Sequence, residues 1–237
     1  MSRFPRLYAI VDRATLDARG LKVGEFAREL REAGAGLVQY RDKVNGPQEI
    51  LRAANEIDEA FAGVEVTRIM NDRVDLAVLA GWDGVHVGQG DLGVEAARRV
   101  FADQSNSRFP FTPASELAGN PDAGMTERKA TVRVVGISTH NQEQVRAAVE
   151  SGSDYLAVGP VFATASKANA EPVVGVELVR RARAMTQLPI VAIGGITLAN
   201  ARSVMEAGAD SVAVIGGLLV EGRTVREVAR DFLEILG

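Results

Sequence analysis

Short runs of Val, Ile and Leu alternate along this chain with longer stretches in which apolar residues return every three or four positions. The short runs are RLYAIVD (6–12), LVQYRD (37–42), TRIMND (67–72), GVHVGQ (84–89), VRVVGIS (132–138), YLAVGPV (155–161), PIVAIGGI (189–196) and SVAVIGGL (211–218). They are apolar almost throughout, the pattern of parallel strands covered on both faces. Between them lie VGEFARELREAG, PQEILRAANEIDEAFA, NQEQVRAAVESG, VELVRRARAM and LANARSVMEAGA, with TVREVARDFLEIL at the end. Each has the spacing of an amphipathic helix. Several helix patterns end in EAGAG (32–36), ESGSD (150–154) or EAGAD (206–210), where a glycine suits the left-handed residue that turns the chain into the next strand.

Strand and helix alternate eight times in 237 residues, which predicts one α/β domain over 1–237, a closed (β/α)8 TIM barrel. Two stretches break the rhythm. Residues 103–131 hold Pro, Asn, Ser and Gly with little periodicity and read as an insertion between helix 4 and strand 5, on the face opposite the usual active site of such a barrel. Residues 158–175, VGPVFATASKANAEPVVG, follow a strand pattern yet show neither period, and suit a loop across the barrel mouth.

Charge narrows the function. There are 27 basic and 31 acidic residues, a net charge of −4, which suggests neither a nucleic-acid footprint nor a polybasic membrane patch. The absence of cysteine excludes disulfides, thiolate catalysis and thiolate metal ligands. No apolar run approaches the length of a membrane span, and the first residues lack a signal-peptide core, so a cytoplasmic protein is expected.

Polar residues gather where the strands end, the informative positions of a barrel. Strand 2 ends in Gln39, Arg41 and Lys43, strand 3 in Asn71 and Asp72, strand 4 in Gln89 and Asp91, and strand 5 in Ser138 and His140. Strand 6 leads to Thr164, Ser166 and Lys167. Arg41, Lys43 and Lys167 would bring three cations to one mouth, and Asp72 and Asp91 two carboxylates from adjacent strands. Such carboxylates repel each other unless a hard divalent cation lies between them, and Mg2+ is typically held by one or two carboxylates plus phosphate oxygens. The set suggests a diphosphate ligand. The glycine pairs at 194–195 and 216–217, after strands 7 and 8, suit a phosphate held by backbone N–H groups. GQGDLG (88–93) matches a dinucleotide fingerprint but sits on the fourth strand, and Asp91 would repel a bare pyrophosphate, so that reading is set aside. His86 lies inside strand 4 and reads as a core or supporting histidine rather than a catalytic one.

LYAIVD, VQYRDK, MNDRVDLAVLAGWDGVHVGQGDL, VGISTH, GPVFATASK, VAIGGI and VAVIGG, in this order and each at an expected strand end, resemble the thiamine-phosphate synthase family. The resemblance covers nearly all of the chain except 103–131. It implies a Mg2+-dependent TIM barrel that joins 4-amino-2-methyl-5-hydroxymethylpyrimidine diphosphate to 4-methyl-5-(2-hydroxyethyl)thiazole phosphate, releasing pyrophosphate through a pyrimidine-stabilised carbocation. By that resemblance Gln39, Arg41, Lys43 and Asn71 match the pyrimidine-diphosphate site, and Asp72 and Asp91 the Mg2+ ligands. Ser138 and Lys167 match further diphosphate contacts. Thr164, Ser166 and backbone at Gly195, Ile215 and Gly216 match the thiazole-phosphate site. Arg41, Lys43, Ser138 and Lys167 would be the catalytic residues. Ser166 stands where the family usually has threonine and Gly216 where serine is common, which bears on thiazole-phosphate affinity more than on the reaction. The related thiazole tautomerase needs neither the two carboxylates nor the Gln-x-Arg-x-Lys set, and a non-catalytic regulator on the same barrel would be expected to lack the carboxylates or the lysine. The partners expected are small phosphorylated substrates, with no nucleic acid and no membrane. The sequence leaves a homo-oligomer open.

Overall fold

The computed structural model describes residues 4–103, 133–164 and 172–237. Eight parallel strands close into a barrel in chain order, β1 (Leu7–Asp12), β2 (Leu37–Arg41), β3 (Thr67–Asn71), β4 (Gly84–Val87), β5 (Val134–Thr139), β6 (Tyr155–Val158), β7 (Ile190–Ile193) and β8 (Ser211–Val214). The barrel shuts where Tyr8 of β1 lies against Ala213 of β8. Most of the insertion expected at 103–131 falls outside the described residues, as does 165–171 within the loop after β6.

The strand patterns are apolar throughout because each strand is buried twice. Leu7, Ala9 and Val11 pack outward in one large cluster with the helices, while Tyr8 and Ile10 belong to a second, inner cluster with Leu37, Ile69, Tyr155, Ala157, Val191 and Ala213. Successive side chains of a strand point to opposite faces. The same period of two carries Gln39 and Arg41, then Asn71, His86 and Ser138, to the lumen side toward the strand ends. The observed strands β6, β7 and β8 stop earlier than the apolar runs did. After β7 the chain turns at Gly194 and Gly195, both at positive φ, and after β8 it enters a one-turn 3-10 helix, Gly216–Leu218. These apolar tails are the loops of the mouth.

The helices are α1 (Arg13–Asp17), α2 (Val23–Ala33), α3 (Pro47–Ala60), α4 (Val74–Leu79), α5 (Val94–Asp103), α6 (Gln142–Glu150), α7 (Gly175–Met185), α8 (Ala201–Glu206) and α9 (Val225–Leu236). In α2, Val23, Phe26, Ala27 and Leu30 recur at helical spacing and are buried, and Gly34 closes the helix at φ 92°. The last helix starts with a full capping box, Thr224 with Glu227. It completes the outer ring by lying on α2, where the Arg226 N–H donates to Glu29 and its guanidinium pairs with Glu32. The one-turn α1 was not foreseen; buried Asp12 caps it by accepting from the Thr15 amide at 3.0 Å and the Thr15 hydroxyl at 2.6 Å. No helix among the described residues is long and apolar enough to cross a membrane.

One glycine sets the shape of the lumen. A Cβ at Gly136 would stand 2.0 Å from Cζ of Tyr155, so only a bare α-carbon lets that ring cross the barrel. Gly136→Ala should therefore lower the thermal midpoint by several degrees, in keeping with the roughly 1–3 kcal/mol typical of overpacking. An unchanged midpoint in differential scanning calorimetry would mean that the lumen absorbs the methyl group.

Candidate active site at the carboxyl ends of the strands

The barrel's mouth is built from loops that start where each strand runs out of ladder. At the end of β2 the Arg41 guanidinium donates to the Asp12 carboxylate at 2.5 Å. Asp12 is buried on the neighbouring strand, and the sequence reading did not single it out. Two residues on, Lys43 pairs with Asp72. Asp72 is the first residue past β3 and takes φ 60°, a left-handed conformation that Asp tolerates better than most side chains. Its amide donates to the carbonyl of His86 at 2.7 Å, which holds the turn against β4.

Asp91 comes from the loop after β4, where its carboxylate accepts from the Gly88 amide at 2.8 Å. That bond turns GQGDLG back on itself around Asp91. The Asp72 and Asp91 side chains interact directly, and their titrations part. Burial, reinforced by the facing Asp91, raises the Asp72 carboxyl despite Lys43. Partial burial also works to raise Asp91, but hydrogen bonds from Asp72 and Gly88 outweigh it and the net direction is down. Two carboxyls forced together in this way gain from a cation between them. The residues fit a hard divalent ion that takes most of its ligands elsewhere. No group of three or more His, Cys, Asp or Glu gathers among the described residues, so the protein here does not build a full coordination cage.

Below this rim lies a polar floor. Gln39, Arg41, Asn71, His86 and Ser138 line a small pocket in the lumen with Tyr8 and Ile10. The Asn71 side-chain amide nitrogen is buried there with no hydrogen-bond partner. A buried donor without an acceptor is costly, so it marks where a ligand oxygen would be favourable. Ser138, Ile193, Ala213 and Ile215 are shared with a second cavity of about 460 Å3, which extends to Thr164, Gly195 and Gly216. Apart from His140, that cavity's lining carries no ionisable side chain among the described residues. Gly195 is at φ 63°, and a Cβ there would meet the carbonyl of Ala163 at 2.3 Å, so the loops after β6 and β7 come backbone to backbone.

Of the residues singled out in the sequence, Gln39, Arg41, Asn71 and Ser138 meet at the floor, Lys43, Asp72 and Asp91 at the rim, and Thr164, Gly195, Ile215 and Gly216 around the larger cavity. Ser166 and Lys167 lie outside the described residues. His86 is 7% exposed and points into the lumen. His140 lines the larger cavity with Nδ1 2.6 Å from the Gly159 carbonyl, while Asn141 caps α6. The reading from sequence passed over Tyr8 and Tyr155, both fully buried and in the floor's hydrogen-bond network. Their inward face follows from the same period of two, but apolar strand runs disguise a tyrosine as a core residue.

The chain matches a family model described as thiamine monophosphate synthase over residues 7–105 and 119–218. It is 45% identical to a thiamine-phosphate synthase of Koribacter versatilis (strain Ellin345), over 99% of this chain and 97% of the relative. To a thiamine-phosphate synthase of Methanoregula boonei it is 38% identical, over 96% of this chain and 91% of the relative. Among solved structures, a thiamine phosphate pyrophosphorylase from Pyrococcus furiosus superposes with a TM-score of 0.75 at 27% identity, covering 98% of this chain and 95% of that one.

The Asp12–Arg41 pair is the buried charge of the mouth. Asp12→Ala removes the partner of Arg41 and the cap of α1 together, so denaturant unfolding should show a loss of about 3–5 kcal/mol, the usual cost of breaking a buried pair. Asp12→Asn should lose less, because the amide oxygen still accepts from Thr15. Equal stability of Asp12→Ala and the unaltered protein would remove this pair from the account.

Proposed function

The chain belongs to the thiamine monophosphate synthase family, and on that premise we propose how its own residues carry out the thiamine-phosphate synthase reaction. One observation supports the division of labour best. The rim carries a cation beside paired carboxylates, whereas the described lining of the adjoining cavity has His140 as its one ionisable side chain. A diphosphate with its metal suits the first, and a neutral ring bearing one phosphate suits the second.

The pyrimidine diphosphate lies with its ring on the floor against Gln39 and its diphosphate toward Asn71, Arg41, Lys43 and Ser138. Asn71 gives its buried N–H to a ligand oxygen. Asp72 and Asp91 would hold Mg2+. When bound, that ion supplies positive charge to the diphosphate oxygens. The thiazole phosphate occupies the larger cavity, its phosphate toward Thr164, Ser166 and the backbone N–H groups of Gly195, Ile215 and Gly216.

The bond between the pyrimidine methylene carbon and the diphosphate oxygen breaks first, and both electrons leave with pyrophosphate. Arg41, Lys43 and Lys167 would stabilise the negative charge that builds on the departing group, and Ser138 would donate to it. The carbocation, spread into the electron-rich aminopyrimidine, is captured by the thiazole nitrogen lone pair, and the new C–N bond gives thiamine phosphate. No side chain acts as a nucleophile. Seating both substrates in the lumen would keep water from competing for the carbocation. A cytoplasmic location fits substrates of this kind.

The decisive experiment is to incubate the purified protein with both substrates, with and without Mg2+. Thiamine phosphate and pyrophosphate should appear together and only with the metal; no product at saturating substrate would sink the assignment. Asp72→Asn and Lys167→Ala should each slow pyrophosphate release by about 10²–10³-fold, the scale expected when one stabiliser of transition-state charge is removed. Wild-type turnover in either variant would remove that residue from the mechanism.

A further inference from the structure

Five side chains from five strands form a continuous hydrogen-bonded line across the lumen. The Gln39 side-chain amide donates to the Tyr8 hydroxyl at 2.7 Å, and the Tyr8 and Tyr155 hydroxyls are 2.9 Å apart. Tyr155 reaches Nδ1 of His86 at 3.0 Å, and Nε2 of His86 reaches Ser138 Oγ at 2.9 Å. The His86 ring also stacks on Tyr155, with centroids 5.5 Å apart and planes 19° from parallel. The two ends, Gln39 and Ser138, line the floor of the site.

The protons on this line are not independent. Each phenol has one proton. Tyr8 accepts from Gln39, so its own proton goes to Tyr155, and the proton of Tyr155 goes to Nδ1 of His86. A neutral imidazole that accepts at Nδ1 carries its hydrogen on Nε2, which then donates to Ser138. Reversing one link alone would set two protons against each other and leave another oxygen without one. The line therefore points one way as a unit. Burial raises the titration of both tyrosines, which keeps them protonated as this count requires.

We propose that Tyr8, Tyr155 and His86 are positioning residues, forming a one-way hydrogen-bond chain that turns the Gln39 carbonyl oxygen and the Ser138 hydroxyl proton toward the bound substrate. Gln39 then offers an acceptor, which suits the exocyclic amine of an aminopyrimidine, and Ser138 a donor, which suits a diphosphate oxygen. This catalytic half rests on the synthase reading; the direction of the chain does not.

The 237-residue chain holds two histidines, so ¹⁵N-histidine labelling reads the hydrogen-bond line directly, with His140→Asn to assign the signals. In the unaltered protein His86 should be the Nε2–H tautomer. Tyr155→Phe keeps the ring but removes the donor to Nδ1, and should let the Nδ1–H tautomer appear while kcat falls at least 10-fold, within the range that small misplacements of a substrate cost. Tyr8→Phe cuts the line nearer Gln39; it should leave the His86 tautomer in place yet lower kcat similarly, a split that a purely structural role would not produce. The proposal is overturned if unaltered His86 is Nδ1–H or an imidazolium, or if both tyrosine variants turn over at the wild-type rate. A protein that makes no thiamine phosphate overturns the synthase reading instead, and the histidine spectrum still decides the chain.

Discussion

Closure of the eight parallel strands is the constraint on which this molecule depends. Once β8 pairs with β1, every strand runs the same way around the barrel and all the carboxyl ends meet at one rim. Residues far apart in the chain, such as Asp12, Lys43, Asp91 and Ser138, thereby share one small volume. Closure also divides each strand between an inner and an outer face, and both must be filled.

The inner face carries polar groups that are largely withdrawn from water. Burying such groups is tolerable when they satisfy one another. Gln39, Tyr8, Tyr155, His86 and Ser138 do so in a single line, and the line needs the Tyr155 ring to span the lumen, which Gly136 permits by having no side chain. Packing, hydrogen bonding and orientation of the site are thus one problem with one solution. These five members of the floor are partners before any ligand arrives.

At the rim the cations are likewise paired in advance. Arg41 leans on buried Asp12, and Lys43 on Asp72, which itself faces Asp91. A cation held by a carboxylate loses little freedom when an anionic ligand comes, so part of the ordering cost of binding is met during folding. The larger cavity beside it uses backbone and hydroxyl groups instead, and the two halves differ in charge while sharing Ser138 and Ile215.

The barrel, the order of its strands and the residues at most strand ends were legible in the sequence, because doubly buried strands and amphipathic helices leave periodic patterns that need no neighbours to be read. Gln39 with Arg41, and Asp72 with Asp91, could be named for the same reason: their positions follow from where a strand stops. Where the strands β6 to β8 truly end was not legible, since GPV, GGI and IGG are apolar but their turns depend on loops packing backbone to backbone. Asp12 and the two tyrosines stayed hidden because their roles are relations between strands: Asp12 matters through Arg41, and Tyr8 through Tyr155, 147 residues away. A sequence determines which side chains can face the lumen; which of them touch is decided by the register of the closed barrel, and only the tertiary structure sets that.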